Sequence, residues 1–301
     1  MQEVAPIEAA PASAGVDHSR RFIAPEFTPL FHTSAYQVLS PSARLRYNQL
    51  HALYFNEQVA FFEQEMLSPA ILALMRESLS PALAAGLHSF FEEEQQHTAM
   101  FRALNRRAAP EIYPTSDSYF IRVDPPWRAL LGSIARRPRL FPLLVWLALL
   151  QEERSLYYSK GCLEVARDLE PHFVAAHRRH LADEVGHIRW DEELLDWLWP
   201  RTGHSMRWAN ARLLSWMLRE YFLAPKRSGL RVVKRLAAEF PQLDARALSA
   251  AMRGLETDVA YQATLYSREI TPRALARFDR HPEFALLARI LPGYHPSGSP
   301  S

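Results

Sequence analysis

Apolar residues recur at intervals of three and four over four long stretches of the chain, the spacing of a helix that buries one face. The first stretch opens after "SPSAR", where Ser40 or Ser42 can cap it, and runs to about Met66. The second starts with Ser80 as N-cap and Pro81 in the first helical position, and runs to about Asn105. A third spans Pro142 to Asp168, and a fourth runs from Pro171 to Leu198 and is closed by Pro200. Shorter helical patterns follow over roughly 205–224, 228–239, 244–268 and 271–279. Period-two runs bounded by Asn-Gly or Asp-Gly turns do not occur in the sequence, so the pattern predicts an all-α chain.

Between the second and third helices lies the proline-rich stretch "APEIYPTSDSYFIRVDPPWRALLGSIARRPR". Four helices with one long crossover between the second and third is the connectivity of a ferritin-like bundle. The expected plan is an Ala/Pro/Ser-rich disordered tail over 1–22 and a single helical domain over 23–292. That domain holds a bundle core at about 43–199 and accessory helices at about 205–291, and a flexible tail covers 293–301.

Composition narrows the class. Hydrophobic residues make up 48% of the 301, enough for a substantial core, and only 10 glycines are present, which favours helices. The formal charge of +2 carries no signature of nucleic-acid or membrane binding. The single cysteine, Cys162, excludes an internal disulfide framework and suits a reducing cytoplasm, and it falls on the apolar face of the third helix. The N-terminus lacks a basic start followed by an apolar run, and "LFPLLVWLALL" is too short to span a bilayer. A soluble cytoplasmic protein is the expectation.

The chemistry lies on the helices. In "RRHLADEVGHIRW", His180, Glu184 and His187 are separated by about 400° and 300° of helical rotation and so share one face. Alone, this motif also fits a solvated helix face. The second helix carries another Glu-x-x-His, Glu94 with His97, among Phe90, Phe91 and Phe101. Di-iron and di-manganese carboxylate bundles use this pair of motifs with one further glutamate from each of the other two helices. On the third helix, Glu152 shares a stripe with Val145, Ala148, Leu149, Leu156 and Ser159, opposite a charged face containing Arg154 and Lys160. Glu153 is the alternative. The first helix offers Glu57, Glu63 and Glu65, and its apolar faces alone do not choose between Glu57 and Glu63. Isolated buried glutamates are costly, and four of them with three histidines make sense around two divalent cations. Mixed carboxylate and imidazole donors without thiolates suit iron or manganese rather than structural zinc or an iron–sulfur cluster.

These residues resemble the ferritin-like di-iron oxygenases typified by p-aminobenzoate N-oxygenase. The last-helix signature of that family, His-x-x-x-Glu-x-x-His, is matched by "HLADEVGH", and its second-helix motif by "EEQQHT" through Thr98. "NEQVAFFEQ" matches the Asn-Glu pair followed by the ligand Glu-Gln, which selects Glu63 over Glu57. "VWLALLQEE" resembles the third-helix pattern with a register loose by one residue, leaving Glu152 against Glu153 open. The similarity covers about residues 27–200. It implies a seven-ligand set of Glu63, Glu94, His97, Glu152, His180, Glu184 and His187 around two iron ions. It implies O2 as co-substrate and a peroxo-bridged intermediate that converts an aryl amine to hydroxylamine, nitroso or nitro products. Electrons come from an external donor or reductase, or from partly oxidised substrate, and secondary metabolism is the expected setting.

Phe62, Phe90, Phe101, Tyr157 and Trp190, all near ligands along their helices, are the residues expected to line the pocket, and Asp183 is placed to accept a hydrogen bond from a ligand histidine on a neighbouring helix. His51 and His88 are expected at the surface or just outside the ligand set. A di-iron hydroxylase or desaturase acting at carbon is the alternative enzyme, and a ferritin-type ferroxidase or storage protein is the alternative class. Partners are expected to be a small amine and an electron donor, with a homodimer as an option, and neither nucleic acid nor membrane.

Overall fold

The computed structural model describes residues 15–223 and 226–296. A single turn, α1 (Ser34–Gln37), precedes the long helix α2 (Pro41–Phe62). Ser40 caps α2 by accepting the N–H of Ala43, which settles the choice between Ser40 and Ser42. The first expected helix reaches only Phe62 as regular α. It then widens into a π-helical turn, Glu63–Leu67, closed by the Ser68 N–H on the Glu63 carbonyl, and resumes as α3 (Ser68–Leu74). Pro69 sits at the start of α3, and a proline inside a continuous helix lacks its N–H donor, so the irregular turn falls directly ahead of it.

Helix α4 (Pro81–Ala108) is capped by Ser80. The crossover contains α5 (Pro125–Ala135), which sequence periodicity did not separate from the surrounding prolines. Helix α6 (Leu143–Glu164) ends sooner than Asp168, with a 3₁₀ turn over Ala166–Asp168. Helix α7 (Pro171–Leu198) starts at the expected proline, with the Glu170 carboxylate accepting the N–H groups of His172 and Phe173. Helices α2, α4, α6 and α7 form the bundle. α7 packs against both α4 and α6, α2 packs against α4, and the π turn after α2 packs against α6. This is the expected ferritin-like, all-α fold, with no strand among the described residues.

The C-terminal elements are α8 (His204–Met217) with a second π turn at Leu218–Phe222, then α9 (Arg227–Glu239), α10 (Ala245–Gly254), α11 (Val259–Ala263) and α12 (Pro272–Phe278). The helix expected over 244–268 is broken between α10 and α11, where Asp258 caps a new start. α9 lies on α2, while α8 and α12 lie on α6. Among the described residues no helix is long and apolar enough to cross a membrane.

Parts of both expected tails fall among the described residues. Residues 1–14 and 297–301 lie outside the described residues. Phe22, however, is buried and stacks on Phe173 with ring centres 4.1 Å apart, and Arg21 bridges to Leu169. At the other end Gly293 bridges to Ser267 and Tyr294 is buried. A Cβ at Gly293 would stand 2.4 Å from the Tyr266 carbonyl, so only glycine permits that approach.

Candidate metal centre

All seven expected residues meet inside the bundle, each no more than 5% exposed. Glu63 opens the π turn after α2, Glu94 and His97 come from α4, Glu152 from α6, and His180, Glu184 and His187 from α7. Their donor atoms form three overlapping sets, Glu63/His97/His180, Glu94/His97/His187 and Glu152/Glu184/His187, with the atoms of each set within 4.8 Å of one another. The i, i+3 and i, i+4 steps on α4 and α7 bring the motif residues to one face, as helix geometry requires.

The three imidazoles are each held from outside and aimed inward. His97 donates through Nε2 to Asp183 at 3.0 Å, and His187 through Nε2 to Glu93 at 2.9 Å. His180 Nδ1 is hydrogen-bonded to the Ser155 hydroxyl at 3.1 Å. The expected role of Asp183 is therefore realised in the geometry, whereas Glu93 and Ser155 were not anticipated. The remaining nitrogens face the carboxylates: His180 Nε2 is 2.7 Å from Glu184, and His187 Nδ1 is 2.9 Å from Glu94 and 3.9 Å from Glu152. His97 Nδ1 lies 3.9 Å from both Glu63 and Glu94. Thr98 donates its hydroxyl to the second oxygen of Glu63 at 2.9 Å.

Proximity without hydrogen-bond geometry sets this cluster apart. Both oxygens of Glu94, both of Glu184, and Nδ1 of His97 and of His187 are buried without a hydrogen-bond partner. Buried polar atoms are normally satisfied, so a convergent group of lone pairs calls for a cation at its focus. The electrostatics agree. Burial, with the negative charge of Glu63, pushes the Glu94 carboxyl well above its usual range. Burial and Glu152 do the same to Glu184. Burial also opposes ionisation of Glu152, but the adjoining Glu184 carboxyl and the charge of His187 hold it low, at about 2. His187 is desolvated yet raised by Glu152 and Glu94. A pair of divalent cations would remove the repulsion that otherwise keeps protons on these acids, and the oxygen and nitrogen donor set suits iron or manganese.

Glu153 and Glu57, the alternatives on the third and first helices, are engaged elsewhere. Glu153 turns away from the cluster and accepts the N–H groups of Arg273 and Ala274, both at 2.9 Å, at the start of α12. Glu57 accepts the N–H groups of Tyr119, Phe120 and Ile121 at 2.8–3.1 Å and the hydroxyls of Tyr113 and Ser118, tying the crossover to α2.

A pocket lined by Phe55, Gln58, Val59, Phe62, Arg154 and Phe222 opens beside Glu63, Glu152 and His180. Of the five aromatic residues expected to line the pocket, Phe62 does so, whereas Phe90 stacks on His187 and Phe101 meets His180 edge to face. Tyr157 and Trp190 do not approach it. Tyr157 points outward to Glu269, and Trp190 packs over Gly86, where a Cβ would lie 2.4 Å from the indole. Arg154 corrects the expected charged face of the third helix. Its guanidinium donates to the Tyr266 and Tyr158 hydroxyls and reaches the pocket, because the segment around Tyr266 covers that side of α6. His51 is buried beside Tyr47 and Tyr54 rather than at the surface, and His88 is exposed.

The family described as P-aminobenzoate N-oxygenase AurF matches residues 8–260. Among curated proteins, no relative matches the chain.

Proposed function

The chain belongs to the P-aminobenzoate N-oxygenase AurF family, and from that premise we propose that it uses a pair of iron ions and O2 to oxygenate the nitrogen of an amine, an aryl amine above all. The observation that carries this reading is the convergence of carboxylates and imidazoles from all four bundle helices, with both oxygens of Glu94 and Glu184 and Nδ1 of His97 and His187 buried and unpartnered. Glu63, Glu94, His97, Glu152, His180, Glu184 and His187 are the residues that would hold the metals. His180 supports an oxygenase over a storage protein, because it adds a third imidazole to the two Glu-x-x-His pairs of the carboxylate bundles.

When bound, the irons would supply activation of O2, with electrons from an external donor or from partly oxidised substrate. The chain does the rest. Asp183, Glu93 and Ser155 fix the rotation of the three imidazoles, so their inward nitrogens are placed before any metal arrives. Glu94 and Glu184 release their protons as cations replace them, which makes loading pH-dependent. Phe55, Val59, Phe62 and Phe222 exclude water from the side on which an amine can approach Glu63, Glu152 and His180.

The test is metal analysis of protein prepared with iron, followed by O2 consumption and product identification with an aryl amine. Two irons per chain and hydroxylamine, nitroso or nitro products are expected. A metal-free protein that is fully active would overturn the reading, and oxidation only at carbon would move it to a hydroxylase. His180→Ala should lower iron content and O2 reactivity together. Unchanged values would remove His180 from the ligand set.

A further inference from the structure

The pocket beside Glu63, Glu152 and His180 has only about 50 Å³ of open space. Gln58, Phe62 and Phe222 line it and also line a second chamber of about 190 Å³ on its outer side. Phe62 and Phe222 meet edge to face with ring centres 6.5 Å apart, so these two rings form the neck where the chambers adjoin. Each neck residue borders a widened helical turn. Phe62 immediately precedes the π turn that begins with Glu63, and Phe222 ends the π turn Leu218–Phe222. Such turns re-aim side chains out of the regular helical register, and they recur at functional sites.

The outer chamber is walled by apolar groups of α5, the segment before it, and the end of α8, including Ile121, Leu131 and Met217. Its mouth is aromatic. Trp127, Trp216 and Tyr221 are 43%, 40% and 40% exposed. Trp127 and Trp216 lie 6.3 Å apart between ring centres, and Trp216 and Tyr221 lie 5.7 Å apart. Three large rings held together yet open to solvent present a surface suited to another ring. The charged groups around them are of mixed sign, Arg122, Lys226 and Arg227 with Asp124 and Glu220, and Lys226 is paired with Glu220 at 3.0 Å. Selection here falls to apolar and aromatic contact rather than to net charge.

We propose that the outer chamber binds the body of the substrate, so that the substrate is an extended amine. Its amino end passes the Phe62–Phe222 neck toward Glu63, Glu152 and His180. Its second ring or apolar arm rests against Trp127 and Trp216. The inner pocket, with about a quarter of the outer chamber's room, accommodates the reacting end. The identity of that end rests on the amine-oxygenation reading, whereas binding of the body does not.

Calorimetric titration of the full, metal-free chain without O2 tests this with aniline, 4-phenoxyaniline and 4-phenoxyphenol. Both two-ring compounds should bind about tenfold or more tightly than aniline, the gain expected from burying and stacking one further ring. Trp127→Ala with Trp216→Ala should reduce the two-ring affinity to near that of aniline while leaving aniline unchanged. Trp127→Phe with Trp216→Phe, which keeps rings at both positions and the fold intact, should restore most of the gain. Equal affinity for one-ring and two-ring compounds, or a two-ring preference that survives the alanine pair, would overturn the proposal. If 4-phenoxyaniline binds through these tryptophans but the iron-loaded enzyme does not oxygenate it, the chamber stands and the amine-oxygenation reading falls.

Discussion

Glu63 and Glu57 come from the same helical stretch, Glu152 and Glu153 are neighbours on α6, and all four are buried, yet they divide into two kinds. Glu57 and Glu153 point out of the bundle and take backbone N–H groups, from the crossover in one case and from the start of α12 in the other. Glu63 and Glu152 point inward, among other carboxylates and the inward-facing nitrogens of three imidazoles. Burial is the same in both groups, and the partner decides the role. A carboxylate facing N–H donors fastens one element to another. A carboxylate facing carboxylates is stable only with protons or cations between them.

The sharpest break between the two kinds comes from Glu184→Ala. Under the proposed reading it should abolish iron loading and O2 reactivity while the chain still folds, as read by metal analysis alongside circular dichroism. Glu57→Ala should do the reverse. It strands the buried N–H of Phe120, the part-buried N–H groups of Tyr119 and Ile121 and two hydroxyls, so denaturant unfolding should show a loss of about 3–5 kcal/mol, with iron stoichiometry unchanged in the folded protein.

His51 gives the next effect, through pH. Burial, reinforced by the Arg154 charge, holds its imidazole at about 3 in the folded chain, well below the unfolded value. The folded state then binds fewer protons than the unfolded state. This contribution to stability is complete above the unfolded pKa and is lost as pH falls from about 6.5 toward 3. A His51→Gln variant should lose roughly 3 kcal/mol less than the parent chain between pH 7 and pH 4, measured by chemical unfolding at each pH. An identical acid limb in both chains would show that His51 does not set it. The smallest effect should come from Asp183→Asn, which keeps the shape of the His97 contact but not its charge. Iron affinity should fall about 10–100-fold in a competition assay, with unfolding stability nearly unchanged.

Much of this was readable in the chain. The four long helices and their proline and serine boundaries follow from local rules, because caps and first-turn prolines act within a few residues. The His180, Glu184 and His187 face follows from helical rotation alone. Glu152 against Glu153 was not readable, since α6 buries residues on both sides. One side faces the bundle and the other lies under α12, more than a hundred residues away in sequence. Arg154 misled for the same reason: its charge suggests a wet face until the segment containing Tyr266 folds over it. Phe222 escaped because its helix lies beyond the four bundle helices and reaches the pocket only through tertiary packing.

The sequence by itself determined the helical class, the bundle connectivity and the two Glu-x-x-His motifs, because periodicity and capping are local properties of the backbone. Only the tertiary structure decided which buried glutamates face one another, which outer groups orient the imidazoles, and how the pocket opens. Those depend on which elements lie opposite each helix face, a choice made by burial across the whole molecule rather than by any residue's neighbours in the chain.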